Sequence, residues 1–447
     1  LTDVSSSREQ DHGLRALVLR ALCGSVAALA SVSAGAQSFE DVVLQAPAAE
    51  PGDVHPPSPG SKLPTWLNPD TAPFIPVPVI AADPDSGTTL GFLAAKVRTD
   101  ANRNIDRIIA PDLVHNPYFG IGAHMRLYEY PSEDERWSVL ANYFQRVQRG
   151  ADAEFQTGRE RQGPWSFSGS LIYDRNGTPR FYGVGNESPS FDATDYTAVE
   201  KLAQVQVGYN FNPTWQLLYT LREEQVEVLP GTLEGIASIE TRFAQLLGLG
   251  TNSVLLNRLA IVYDTRDDQT VPSKGMEWVT YGGFASRSGF SDSLDTEAGV
   301  DGRGFWSLPW STTLAGHVAL RYLLTEHLLP FWALSSIGGE DSVIGGEQPL
   351  RGFGAGRFYD RDSFSSSIEL RHNVFSFDAS TRVDIELAPF IDVGRVFART
   401  STFPLSQLHT VVGVGFRGIA RPSVVGFVDL GYGSEGAAVF TGINYPF

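Results

Sequence analysis

From about Gly87 to Phe447 the chain has a single texture. Segments of 9–14 residues alternate apolar and polar side chains, and turn residues close each segment. Trp165, Phe167, Gly169, Leu171 and Tyr173 interleave with Ser166, Ser168 and Ser170. Val383, Ile385, Leu387, Ile391 and Val393 interleave with Asp384, Glu386 and Asp392. Val424, Val428, Leu430 and Tyr432 alternate with Asp429 and Gly431, and the sequence ends on Val439, Thr441, Ile443, Tyr445 and Phe447 against Gly442 and Asn444. A period of two puts each set on its own face of a sheet. A helical membrane protein would instead need several apolar runs of about 20 residues. The mean hydropathy of -0.11 follows from an alternation in which every second side chain is polar.

A soluble sandwich shares this alternation, and three features favour a transmembrane barrel. The polar face carries Asp, Glu, Arg, Ser and Gly, which suits a wet lumen. Tyr, Phe and Trp gather at strand ends, as in interfacial girdles. Connections are short at Pro131–Glu135, Gln162–Pro164, Phe211–Thr214, Ser307–Trp310 and Gly418–Ser423, and long at Arg98–Asn116, Gly177–Asp195, Leu229–Asn252 and Glu326–Asp360. The expected fold is all-β: a 16-stranded antiparallel transmembrane β-barrel, its first strand near residues 87–97 and its last near 437–447. Backbone groups in lipid need partners, so the sheet must close, first strand on last.

The rest of the chain reads differently. Leu14 to about Val32 is mostly apolar, carries Arg15 and Arg20 near its start, and leads to Ala34-Gly35-Ala36. Basic start, short apolar stretch and A-x-A end make residues 1–36 a signal peptide. Residues 37–78 hold ten prolines. Each fixes φ and removes a donor, so this segment is expected to be a periplasmic linker or strap, without helix or central strand. Residues 79–447 are then the barrel. The only cysteine is Cys23, so neither a disulfide framework nor a Cys-ligated metal is expected. A formal charge of -17 argues against a nucleic-acid partner. No cofactor, metal or catalytic residue is expected. His124, His317, His372 and His409 fall on separate strands without a partner motif, which speaks against an outer-membrane phospholipase or protease. The loop acids Glu340, Asp341, Asp360 and Asp362 are expected to be solvated.

Four local patterns stand out. Asp264-Thr265-Arg266-Asp267, with Pro272 and Gly275, is a charged turn. Leu350-Arg351-Gly352-Phe353 lies among glycines in the longest late loop, with no strand–loop–helix context for phosphate binding. Glu369 in Ser367–Arg371 and Asp392 in Phe390–Gly394 both fall on the polar face.

In this order the patterns resemble the outer-membrane assembly and translocation barrel superfamily, the group of BamA, TamA and the two-partner-secretion transporters, whose barrel is often called bacterial surface antigen. The resemblance runs from roughly Phe74 to Phe447, is strongest after Asp264, and extends to Arg180–Asn186. It implies sixteen strands, a Gram-negative outer-membrane location, and a long sixth outer loop folded into the lumen. It also implies that Arg351 pairs with Asp392, Glu369 or both, and a guanidinium can hold a carboxylate through two hydrogen bonds. Ile443, Tyr445 and Phe447 resemble the C-terminal assembly signal, which makes the protein a client of the barrel-assembly machine. Assembly and secretion members usually carry periplasmic POTRA domains. The Pro-rich segment has no helical period, so none is expected here, and a separate periplasmic partner would supply that role. Outer-membrane lipid and lipopolysaccharide are the other expected partners. The function implied is non-enzymatic handling of outer-membrane protein or lipid; the alternative is a passive or loop-plugged pore. Pro446 removes an amide next to the expected seam.

Overall fold

The computed structural model describes residues 75–447 apart from 84, 100–104, 133, 159, 287–292, 379–381, 399–404, 421–423, 444 and 446. The expected signal peptide, residues 37–74 of the linker and Pro446 lie outside the described residues. The chain begins with β1 (Ile75–Asp83), β2 (Gly87–Thr99), β3 (Ile105–Ile109), β4 (Asp112–Asn116), β5 (Gly120–Ser132), β6 (Glu135–Phe144), β7 (Arg149–Thr157) and β8 (Trp165–Asn176). After β9 (Arg180–Phe181) come β10 (Thr194–Asn210), β11 (Trp215–Pro230), β12 (Ala237–Ser238), β13 (Gly250–Asp264), β14 (Gly275–Ser286), β15 (Leu294–Leu308) and β16 (Thr312–His327). The long loop contains β17 (Ser335–Ile337), β18 (Glu347–Gln348) and β19 (Phe358–Asp360), and β20 (Asp362–Asp378), β21 (Arg382–Phe397), β22 (His409–Ala420), β23 (Val424–Gly433) and β24 (Gly436–Ile443) follow.

The long strands pair antiparallel with their neighbours in the sequence, from β1–β2 through to β23–β24, and Ala82 of β1 pairs with Val439 of β24. The first and last strands of the sheet thus meet at this pair. Among the described residues no helix is long and apolar enough to cross a membrane.

The sheet departs from the sixteen expected strands at its beginning. β3 and β4 both lie between β2 and β5, so they act as one strand broken at Ala110-Pro111, in the stretch expected to be a long loop. β1 takes in Ile75–Pro78, which the linker was expected to hold. Counting β3 and β4 together and leaving aside the two-residue β9 and β12, eighteen strand positions line the sheet among the described residues. The long late loop is accordingly the seventh connection at its end, not the sixth. Pro76 and Pro78 explain why β1 did not read as a strand. They share one edge of it and can donate no hydrogen bond there. β1 is paired with β2 along its whole length, whereas among the described residues Ala82–Val439 is the one pair that joins it to β24.

Outward side chains follow the expected alternation. Trp165, Tyr209, Phe211, Trp215, Trp306 and Trp310 are exposed at the short-turn end, and Leu171, Val205, Leu221 and Leu259 are exposed further along their strands. This is an interfacial aromatic girdle below an apolar band. Inward side chains are polar. Ser168 donates to Gln206 at 2.9 Å, and Gln206 donates to Thr220 at 3.1 Å. The apolar core is therefore not between layers but inside the lumen, where Ile337, Leu350, Phe353 and Phe358 of the loop pack on Phe390, Val396 and Val411 of the wall.

Candidate functional site

The site is built from strand parity. Glu369 on β20, Asp392 on β21, Arg417 on β22 and Asp429 on β23 each stand at an inward position, and antiparallel pairing brings the four strands side by side. The long loop descends onto this patch and delivers Arg351, which has no exposed surface. Its Nε and Nη2 donate to Asp392 at 2.8 and 2.7 Å, a two-pronged pair, and its backbone N–H adds a third bond to Asp392 at 3.1 Å. Nη1 donates to Glu369 at 2.5 Å and to Asp429 at 2.7 Å. The guanidinium lies 3.5 Å over the Phe390 ring. Both expected partners of Arg351 are thus present, and Asp429 is a third.

Two more arginines bring the charge near balance. Arg417 donates to Asp429 and, at 3.2 Å, to Glu369. Arg371 donates to Glu369 at 2.9 Å and to the Phe447 carbonyl at 3.3 Å. Three guanidinium groups thus face three carboxylates, all buried. Each carboxylate of the cluster is met by at least one guanidinium, and buried ions paired this way are costly to break when one partner is removed.

Glycine permits the close approach. A Cβ on Gly431 would lie 1.8 Å from the Arg351 carbonyl oxygen, so any larger residue on β23 would push the loop off the wall. Further anchors spread along the loop. Arg357 pairs with Glu435 at 2.6 Å, donates to the Ser188 carbonyl at 2.8 Å, and lies 4.0 Å over Tyr182. Arg258, held by Glu297 at 2.7 Å, donates to the Ile344 carbonyl at 2.6 Å. The loop between β9 and β10 is tied to the wall as well, its Asn186 accepting from the Val396 amide of β21 at 3.0 Å. The acids expected to be solvated are mostly not: Glu340, Asp360 and Asp362 are buried by the loop's descent, and Asp362 caps the Leu323 amide at 2.9 Å.

At the opposite end, Arg266 is clamped between Asp264 at 2.9 Å and Glu277 at 2.8 Å. Asp267 accepts from the Ser273 and Lys274 amides at 2.8 and 3.0 Å and from the Ser273 hydroxyl at 2.6 Å. Burial pushes its carboxyl up, but these donors outweigh burial and hold it below the ordinary carboxylate value. Pro272 is buried, and Gly275 takes φ 89° where a Cβ would lie 2.1 Å from the Thr265 carbonyl oxygen.

The C-terminal residues divide. Strand β24 ends at Ile443, short of the expected 447, and the side chain of Ile443 lies outside the described residues. Tyr445 and Phe447 are buried under the arginine patch: Arg371 sits 3.8 Å over Tyr445, and Phe447 packs with Phe305 and Ala315 and stacks on His317. His317 does have partners, Asp301 at 3.1 Å and Ser342 at 3.4 Å. Both meet the same ring nitrogen, Nε2, while Nδ1 has no partner. The relay of a hydrolytic triad uses both nitrogens. Among the described residues no group of His, Cys, Asp and Glu is placed to hold a metal ion.

The family model for the Omp85 superfamily domain matches residues 120–419. No curated protein sequence matches the chain. Solved structures with a similar fold include CdiB from Escherichia coli, with a TM-score of 0.50 at 9% identity over 83% of this chain and 66% of that one. CdiB from Acinetobacter baumannii gives 0.45 at 13% identity over 83% and 65%. BamA from Haemophilus ducreyi lacking POTRA domains 1-3 gives 0.47 at 11% identity over 79% and 74%. At such identities the likeness is one of fold.

Proposed function

Since the chain belongs to the Omp85 superfamily, a family of Gram-negative outer-membrane barrels, we propose that it handles outer-membrane protein or lipid without an enzymatic step of its own. The observation that supports this most is the buried lock at Arg351, which ties the long loop to β20, β21 and β23, with Arg417 of β22 joining the same carboxylates. A barrel selected to pass solutes needs an open wet path. Here the longest loop is packed into the lumen against the wall, and on this reading the wall and its lipid edge are the working surface. On this reading its partners are the lipids and lipopolysaccharide of the outer membrane, the barrel-assembly machine that folds it, and a separate periplasmic partner that brings clients. The test is a reconstitution. Liposomes holding the purified barrel should speed the folding of an added unfolded outer-membrane protein several-fold over empty liposomes, read by heat-modifiable gel mobility. Equal rates with and without the barrel, for protein clients and for lipid flip-flop alike, would refute the proposal.

A second reading, a loop-plugged pore, draws on one feature. A cavity of about 260 Å³ remains beside the loop, lined by Glu200, Arg222, Glu224, Asp295, Arg321 and Trp332 among others. Stepwise conductance in planar bilayers that rises on Arg351→Ala would favour it.

A further inference from the structure

On the membrane-facing side of β7, β8 and β10, three cations stand together where the apolar band stops. In each strand the outward positions run apolar from the short-turn end and then change: Phe155, Ala153 and Ala151 lead to Arg149; Phe167, Leu171 and Tyr173 lead to Arg175; Tyr209, Val205 and Ala203 lead to Lys201. Arg149 is the register partner of Arg175, and Lys201 that of Tyr173, two residues away on the same face. Like charges placed directly opposite on a sheet face repel one another. Among the described residues none of the three has a hydrogen-bond or ion-pair partner for its side chain, and the Nε of Arg175 is shielded from solvent without an acceptor. Asp174 and Glu200, their sequence neighbours, alternate into the lumen and line the cavity there. On the far side, Glu223 and Glu227 of β11 face outward and close the patch without pairing with Lys201.

The height of the patch selects its ligand. Arg175 lies ten residues along β8 from Trp165 of the aromatic girdle. At about 3.4 Å per residue and a tilt of about 40°, that is roughly 26 Å, the full height of an outer-membrane apolar band. The cations therefore sit at the headgroup level of the leaflet on the long-loop side, with their stems against the apolar band. We infer that Arg149, Arg175 and Lys201 form a binding site for the phosphate groups of a phosphorylated glycolipid in that leaflet. A phosphate between Arg149 and Arg175 would relieve their repulsion, supply the acceptor that the Arg175 Nε lacks, and be held by planar forks suited to it. The acyl chains would lie along Leu171, Ala151 and Ala203, which are exposed below. This site is independent of whether the barrel moves protein or lipid, since it asks only that the barrel sit in the membrane.

The test compares lipids carried by the full-length barrel in nanodiscs, read by native mass spectrometry. The wild type should retain diphosphoryl lipid A at least tenfold over lipid A stripped of phosphate. The triple variant Arg149→Gln, Arg175→Gln, Lys201→Gln should lose most of that preference. The charge-keeping pair Arg149→Lys, Arg175→Lys should keep part of it, which separates loss of charge from damage to the fold. Heat-modifiable mobility verifies folding, and the single change Arg175→Gln serves if the triple variant does not fold. Equal retention with or without phosphate, or an unchanged preference in the glutamine variants, would overturn the proposal. So would complete competition by millimolar inorganic phosphate, which would point to a free anion site.

Discussion

Replacing Arg351 with Ala removes four side-chain donor contacts at once and leaves Asp392 buried with only the backbone N–H of residue 351 and no charged partner. Glu369 and Asp429 keep Arg371 and Arg417, so the uncompensated charge is concentrated on one carboxylate. Breaking a buried pair from one side costs about 3–5 kcal/mol. At about 1.4 kcal/mol per factor of ten, the balance between docked and released loop should move by roughly two to three and a half orders of magnitude. The apolar contacts of Leu350, Phe353 and Phe358 and the Arg357–Glu435 pair remain, so the release is local and does not unfold the barrel. The assay is the rate at which an impermeant maleimide labels a cysteine placed at Ser336, a buried loop position. Labelling should be slow in the otherwise wild-type protein and faster by at least a hundredfold with Arg351→Ala. Combining Arg351→Met with Asp392→Leu should restore slow labelling in part, because it removes the stranded charge together with its partner. A labelling rate within twofold of wild type for Arg351→Ala would show that the ion-pair cluster does not hold the loop.

Other consequences follow from single sites. Gly431→Ala puts a methyl group against the Arg351 carbonyl and should speed the same labelling at least tenfold while leaving heat-modifiable mobility intact. Phe447→Ala empties an aromatic position packed on Phe305 and His317, and should lower the midpoint of urea unfolding in detergent by an amount matching about 3 kcal/mol. Asp267 has a depressed carboxyl pKa in the fold, so its contribution is present above the unfolded value of about 4 and is lost as pH falls through the folded value. Asp267→Asn should therefore weaken the barrel at neutral pH by under about 1 kcal/mol, since the turn is exposed, and the difference from wild type should vanish in acid.

The membrane face and the lumen face were legible because strand alternation reports both directly. The Arg351 pairings with Asp392 and Glu369 came from the motif order, and the geometry adds what a motif does not encode. Asp429 was visible as an inward acid between Val428 and Leu430, but only the sideways order of β20 to β23 brings it within reach of Arg351. Arg371 and Arg417 carried no signal beyond parity. The opening hairpin was missed for a local reason. Proline at 76 and 78 reads as a strand breaker, yet one edge of β1 needs no donors where it meets β24 at a single pair. The last strand ends before 447 although Tyr445 and Phe447 continue the alternating pattern of β24, because their rings turn under the arginines. The membrane-face cations were hidden for the opposite reason, since alternation alone makes Arg149, Arg175 and Lys201 look like ordinary polar positions.

The central claim is that the Arg351 segment lies against β22 and β23 inside the barrel. A Cβ on Gly352 would lie 2.8 and 3.0 Å from the two methyl carbons of Val411, so Gly352→Cys with Val411→Cys places two thiols within bonding reach. Brief oxidation of outer membranes containing this double variant should form the cross-link nearly completely, seen as a mobility shift reversed by reductant. Free thiols at both positions after oxidation, with both open to maleimide, would contradict the account.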